Sequence, residues 1–359
     1  MNKKKRYFTV KQLKVLVADC NYLMLIGDRA DGKSYSSKSY ALEKALESID
    51  NGVCKCQLGY IRRFDKDCKD NVLEPYFADM PISEISKGRY SNITVYRKKI
   101  YLGNFDEKTN KPTREVCIGQ CFALASAEHY KSLMFPRIQT IIFEEVISQD
   151  NKYLTSQEPN KLQHLISSIL RDRKGTVILI GNTLSRFNPY YDEWELIDAE
   201  HIKLGETRIY NFDGTIIKVH RCDSSKYNSG MFFGKSKGNI TQGEYYTESQ
   251  PHLDGDKKDY DIVHTIVLEY NRFIYLMEFL YNRKEEYYVW YVSPKTTPIK
   301  KGTRVISNKF NPSPLYTNDF IGVNAYEKKA LEFIELRKVV FSDNLTGTEF
   351  YNIIDNFND

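Results

Sequence analysis

An α/β fold, with a mostly parallel sheet flanked by helices and a smaller α+β domain behind it, is what the sequence predicts. Three observations predict it. An apolar run, Tyr22 to Ile26, ends in a glycine-rich loop that opens a helical pattern. A second apolar run, Ile138 to Phe143, ends in two acids, Glu144 and Glu145. Strand-like and helix-like segments alternate from Tyr22 to His220, as expected of parallel strands joined by crossover helices.

Composition sets the outer limits. The chain has 359 residues, enough for two domains and a sizeable core. Its formal charge of +5 permits a nucleic-acid partner without arguing for one. Seven cysteines are scattered without metal spacing, and Cys54-Lys55-Cys56 is too tight for a zinc or redox pair. Reduced thiols are expected. The basic start, Met1 to Arg6, is followed by no apolar stretch of signal-peptide type, and no run of eighteen apolar residues is present. Neither secretion nor a membrane span is expected.

In chain order, Phe8 to Cys20 reads as a short amphipathic helix leading into the first strand. The loop that follows, Gly27-Asp28-Arg29-Ala30-Asp31-Gly32-Lys33-Ser34, has the spacing G-x-x-x-x-G-K-[ST] of a phosphate-binding loop, the Walker A motif. Glycines let the backbone curl so that N–H groups converge on phosphate oxygens. Lys33 can reach the β- and γ-phosphates, and Ser34 can place its hydroxyl on Mg²⁺. The nucleotide-binding candidates are therefore Gly27 to Ser34 with Tyr35. Apolar positions Tyr40, Ala41, Leu42, Ala45, Leu46 and Ile49 then predict a helix whose N-terminus faces the anion.

Gln57 to Arg63 reads as a second strand ending in Arg62 and Arg63. A charged loop, Phe64 to Asn71, follows. Ile93 to Tyr96, Lys99 to Leu102 and Val116 to Phe122 read as a strand-rich insertion. Ile138 to Glu145 has the form of a Walker B strand, β-branched residues ending in two acids. At its tip Glu144 would serve the Mg²⁺ shell and Glu145 would polarise the attacking water. Most such strands place Asp first; Glu144 is one methylene longer.

Leu162 to Arg171 predicts a helix with Leu162, Leu165, Ile166, Ile169 and Leu170 on one face. Thr176 to Ile180 predicts a strand closed by Gly181-Asn182-Thr183, where Asn182 can sense the γ-phosphate. Asn188-Pro189 marks a break, and Thr215 to Val219 is expected to close the sheet. An acidic strand separate from the P-loop strand is the ASCE (additional strand, catalytic Glu) pattern of RecA-like sheets. Domain boundaries are expected at 1–222, a linker at 223–259 of Ser, Gly, Lys, Asn and Asp, and a second domain at 260–359.

The loop G-D-R-A-D-G-K-S resembles that of phage large-terminase and packaging ATPases, whose common form is G-x-R-G-x-G-K-[ST]; Ala30 stands where Gly is usual. Y-I-R-R, K-S-x-x-x-P-x-x-Q-T-I-I-F-E-E and L-R-D-R before T-V-I-L-I-G-N resemble, in order and spacing, the genome-packaging ATPase of short-tailed bacteriophages. The resemblance covers Tyr22 to Pro189. It implies a homomeric ring, a pentamer, at the portal vertex of the procapsid in the host cytoplasm. That ring would hydrolyse ATP with Mg²⁺ to drive double-stranded DNA inward, with the portal connector and a packaging RNA as partners. It also implies a C-terminal domain similar to an RNase H-like nuclease that has lost its acidic metal site. Strand acids Glu269 and Glu278 do not make the set of carboxylates that two metals need.

By the same resemblance Lys33 and Glu145 are catalytic, Arg171 is an arginine finger acting on the neighbouring subunit, and Lys131 is a second trans-acting cation. Arg62 or Arg63 is expected to hold Glu145 away from water as a switch, with Lys66 and Lys69 facing DNA. The alternatives are a helicase or other ring translocase, an ATP-gated DNA-binding adaptor that hydrolyses slowly, and a full terminase with its own nuclease.

Overall fold

The computed structural model describes residues 7–28, 30–148, 153–155, 157–182, 188–223, 249–271, 273–318 and 324–357. Arg29, Thr183 and most of the expected linker lie outside the described residues. The chain divides into two compact units, Met1–Tyr245 and Tyr246–Asp359.

The larger unit runs α1 (Val10–Val17), β1 (Tyr22–Gly27), α2 (Lys33–Glu47), β2 (Gln57–Arg62), α3 (Asp70–Phe77), β3 (Asn92–Tyr96), β4 (Lys99–Gly103), β5 (Val116–Ala123), β6 (Ile138–Glu144), α4 (Glu158–Leu170), β7 (Thr176–Asn182), α5 (Pro189–Glu193), β8 (Thr207–Phe212) and β9 (Thr215–Arg221). Nine of these strands form one sheet in the order β8-β9-β1-β7-β6-β2-β5-β4-β3. The pairs from β9 through β5 are parallel, and the two ends are antiparallel hairpins. β7 lies between the P-loop strand β1 and the acidic strand β6, as the ASCE reading expects.

Strand alternation builds the core on both faces. On β1, Leu23 and Leu25 join the cluster containing Leu13 of α1 and Leu42 of α2, while Met24 and Ile26 join Leu162 and Ile166 of α4. Each fully buried side chain of this kind contributes about 1.5–3 kcal/mol relative to leaving it exposed.

Three local expectations change. The strands from Ile93 to Phe122 are not an insertion but the continuation of the main sheet, β5 running parallel to β2. Gly119 permits the approach, since a Cβ there would lie 2.6 Å from the Leu58 carbonyl oxygen. The polar stretch before Thr215 forms the edge strand β8, so β9 is not the edge. Asn188-Pro189 starts a helix rather than breaking one. Asn188 Oδ1 accepts from the Tyr191 N–H at 3.1 Å, and proline suits a first helical position.

The smaller unit has β10 (Tyr260–Tyr270), β11 (Phe273–Asn282), β12 (Tyr287–Pro294), β13 (Arg304–Ser307), β14 (Tyr316–Thr317), α6 (Ala325–Glu335), β15 (Val340–Phe341) and α7 (Asn344–Phe357). Its sheet runs β14-β13-β10-β11-β12-β15, with Trp290 and Phe279 fully buried. Within the expected linker, residues 249–259 are tied into this unit; the Phe341 N–H donates to the Pro251 carbonyl at 2.9 Å. Glu269 opposes Ile274 and Glu278 opposes Thr265 across β10 and β11. The two acids therefore lie four residues apart along the strands, roughly 13 Å, and do not converge.

Candidate nucleotide site

Parallel pairing brings the functional strand tips to one edge. Gly27 of β1 stands opposite Asn182 of β7, and Ile180 stands opposite Glu144 of β6. α2 begins at Lys33, so its N-terminal N–H groups and dipole face the same edge. Tyr7, Phe8, Asp28, Ala30, Asp31, Gly32, Lys33, Ser34, Tyr35, Glu144, Glu145 and Asn182 are among the residues that line one cleft of about 890 Å³.

The loop is held from its N-terminal side. The Phe8 N–H donates to the Asp31 carbonyl at 2.8 Å, and Ser36 Oγ donates to the Phe8 carbonyl at 2.8 Å. Gly32 has φ +96° and lies so close to Phe8 that a Cβ would meet its carbonyl oxygen at 2.7 Å. Ala30 takes the left-handed region too, at φ +60°, where Gly would be unstrained. Lys33 Nζ donates to Asp31 Oδ2 at 2.8 Å and to the Asp28 carbonyl at 2.7 Å.

Glu144 is buried at the floor. Ser34 Oγ donates to its Oε2 at 3.2 Å, and Tyr76 Oη donates to its Oε1 at 2.5 Å. Burial pushes the Glu144 carboxyl above its ordinary value of 4.5, against the pull of those two hydrogen bonds and of Arg62 and Lys33. Tyr76 stacks on Tyr60 at 4.6 Å, and Lys38 Nζ lies 4.5 Å over its ring while bonding the Tyr76 carbonyl and Asp79. A hydroxyl and a carboxylate side by side are hard oxygen donors, and they fit Mg²⁺, which takes few protein ligands beside phosphate oxygens. Tyr76 fixes the longer Glu144 side chain where Asp is usual. Sequence reasoning did not find Tyr76, because α3 carries Pro75 in its interior and follows a charged loop.

A stability consequence follows from the raised carboxyl. The folded chain holds the Glu144 proton more tightly than the unfolded chain. Stability is therefore lost as pH rises from 4.5 through the raised value, and above it the cost of the buried charge is complete. Glu144→Gln removes the charge; its amide oxygen still accepts from one hydroxyl, and its NH₂ can donate to the oxygen of the other. Its urea midpoint should exceed that of the native chain near neutral pH, and the gain should shrink on acidification. A gain that grows on acidification would mean that Tyr76 and Ser34 outweigh the burial.

Glu145 sits at the cleft mouth, 60 % exposed, on a left-handed backbone with φ +61°. Two consecutive arginines hold it differently. Arg62 Nη2 donates to Glu145 Oε2 at 3.1 Å. Burial works against the Arg62 charge, but Tyr60 and Glu145 beside it more than offset this, and its pKa lies above the usual value. Arg63 Nη2 donates to the Glu145 carbonyl at 3.0 Å and the Val146 carbonyl at 3.3 Å. The same guanidinium grips Glu158 at 2.9–3.0 Å, and Glu158 also accepts from Tyr190 Oη and the Leu154 N–H, each at 2.7 Å. Of the two switch candidates, Arg62 reaches the carboxylate; Arg63 is committed to the backbone and to Glu158. Glu158 had no local sequence signal.

The remaining candidates lie elsewhere. Lys66 and Lys69 are exposed on the turn Asp65–Cys68 and just after it, directly beyond β2. Arg171 ends α4 with φ +53° and donates to the Leu133 carbonyl at 3.3 Å. Lys131 is exposed and pairs with Glu128 at 2.5 Å. Arg171 precedes β7 and so lies at the end of the sheet opposite the P-loop, roughly 20 Å away along a seven-residue strand. Lys131 follows the turn Leu124–Tyr130 after β5 and lines a groove with Thr155, Asn160, Lys161 and His164. Neither lines the cleft of its own chain.

Structural comparison gives a full-length likeness to the bacteriophage Phi-29 viral genome packaging motor assembly, with 20 % identity over 98 % of this chain and 99 % of that one and a TM-score of 0.58. The Phi-28 gp11 DNA packaging motor matches at 17 % identity over 98 % of both chains, TM-score 0.48. The N-terminal domain of the DNA packaging ATPase from bacteriophage phi29 matches at 22 % identity over 60 % of this chain and 97 % of that one, TM-score 0.47. No curated protein sequence matches. Residues 2–204 match the family described as podovirus DNA encapsidation protein (Gp16), more than half of the chain. On that match, the chain belongs to the podovirus DNA encapsidation (Gp16) family.

Proposed function

We propose that this chain hydrolyses ATP and uses the energy to move double-stranded DNA into a preformed capsid. The meeting of Ser34 and Glu144 beside Lys33, in a member of the encapsidation family, is the observation that carries the reading. Lys33 and the N–H groups at the start of α2 bind the phosphates. Ser34 and Glu144 hold Mg²⁺, which when bound neutralises phosphate charge. Asn182 senses the γ-phosphate end. Glu145 takes the proton from water once Arg62 releases it, and Lys66 and Lys69, next along the chain, touch the DNA backbone.

Arg171 and Lys131 act on the neighbour's nucleotide, since neither lines the cleft of its own chain. This requires a homo-oligomeric ring, and we propose a pentamer docked on the portal connector at the procapsid vertex in the host cytoplasm, with a packaging RNA as a further partner. Residues 1–222 form the motor, and 260–359, with residues 249–259 tied to them, form a domain without nuclease activity that grips or docks.

Arg62→Ala tests the reading. The unaltered chain should show ATP hydrolysis that rises severalfold with double-stranded DNA. The variant should keep hydrolysis while losing the dependence on DNA. Undiminished stimulation in the variant would remove the Arg62 switch, and failure of the unaltered chain to hydrolyse ATP with DNA present would remove the motor.

A further inference from the structure

The P-loop of this chain contains a carboxylate within its own curl. Asp31 and Lys33 side chains are only 2 % and 3 % exposed. Asp31 Oδ1 accepts from the Lys33 backbone N–H at 3.1 Å, and Oδ2 accepts from Lys33 Nζ at 2.8 Å. These two donors, one backbone and one ammonium, are the type that such a loop turns towards a nucleotide phosphate. The carboxylate lies deep against Gly27, where a Cβ would fall 2.3 Å from Oδ2.

We propose that Asp31 is a built-in competitor for the phosphate seat and sets the affinity of the site for nucleotide di- and triphosphates. The inference rests on the nucleotide reading above. A phosphate oxygen and the Asp31 carboxylate need the same donors, and their like charges repel inside the loop. Nucleotide therefore enters by turning Asp31 out. The backbone tie survives that motion, because Phe8 is held by the Asp31 carbonyl and not by its side chain. Arrival of nucleotide thus frees Lys33 from Asp31 and delivers its ammonium to the phosphates in one exchange.

The test uses the full chain, with fluorescent MgADP and MgATPγS as probes, in Asp31→Asn and Asp31→Ser variants. Asp31→Ser should bind both probes about tenfold more tightly or better, with Asp31→Asn between it and the native chain. The thermal midpoint without nucleotide should fall in both, since Lys33 loses its ion pair and keeps only the Asp28 carbonyl, while the rise on adding nucleotide should grow. A merely structural brace would lower midpoint and affinity together. Equal or weaker binding in both variants overturns the proposal. If neither the native chain nor the variants bind at millimolar nucleotide, the nucleotide reading falls and this inference with it.

Discussion

Glu145→Gln should lower the turnover number for ATP hydrolysis by about 10²–10⁴-fold, the range removed with a positioned general base. Nucleotide binding should survive. Glu145 is exposed at the cleft mouth and bonds Arg62, whereas Lys33, Ser34 and Glu144 form the floor. Glutamine retains an acceptor for Arg62 but cannot take a proton from water. Single-turnover hydrolysis measured beside a fluorescent-ADP titration separates the two effects. A loss below threefold would move water activation to another residue. A loss of binding equal to the loss of turnover would show that Glu145 holds the nucleotide rather than the water.

Glu158→Leu should destabilise the larger unit by about 3–5 kcal/mol, because Arg63 would be left charged inside the protein. The pair is almost wholly enclosed, with side-chain exposures of 7 % for Arg63 and 0 % for Glu158. Burial works against the Arg63 charge, but the hydrogen bond and charge of Glu158 outweigh it, and the Arg63 pKa is raised. Adding Arg63→Met should restore part of the loss. Full recovery is not expected, since Tyr190 Oη, the Leu154 N–H and the Glu145 carbonyl would still lack partners. The chain has two tryptophans, Trp194 and Trp290. In a Trp290→Phe background, Trp194 reports urea unfolding of the larger unit alone. A single variant within 1 kcal/mol of the native chain would mean that water reaches Arg63.

The site was legible where chemistry fixes residue types at a fixed spacing. Gly27, Gly32, Lys33 and Ser34 are such a set, and the β-branched run before Glu144 and Glu145 is another. The position of β7 followed from the same anchors, because an acidic strand distinct from the P-loop strand leaves room for one strand between them. Tyr76 and Glu158 were not legible. Their partners lie 68 and 95 positions away, and nothing periodic marks such contacts. Asp31 was read as one loop position among eight; only the folded loop shows its carboxylate on the donors of Lys33. The helix at Pro189 was missed for a different reason. Asn before Pro serves equally as a chain break and as a helix start, and the buried tyrosines that decide the matter, Tyr190 and Tyr191, become informative only against α4 and its neighbours.

Successive side chains on extended backbone point apart, so Arg62 and Arg63 approach Glu145 from two directions only while that stretch keeps its phase. Inserting or deleting one amino acid between Tyr60 and Arg62 would exchange the inward and outward cations with almost no change in composition. The enclosed Glu158 would then face the wrong neighbour. For this tract, tolerance to point replacement and tolerance to frame displacement are separate quantities, and the second is the smaller.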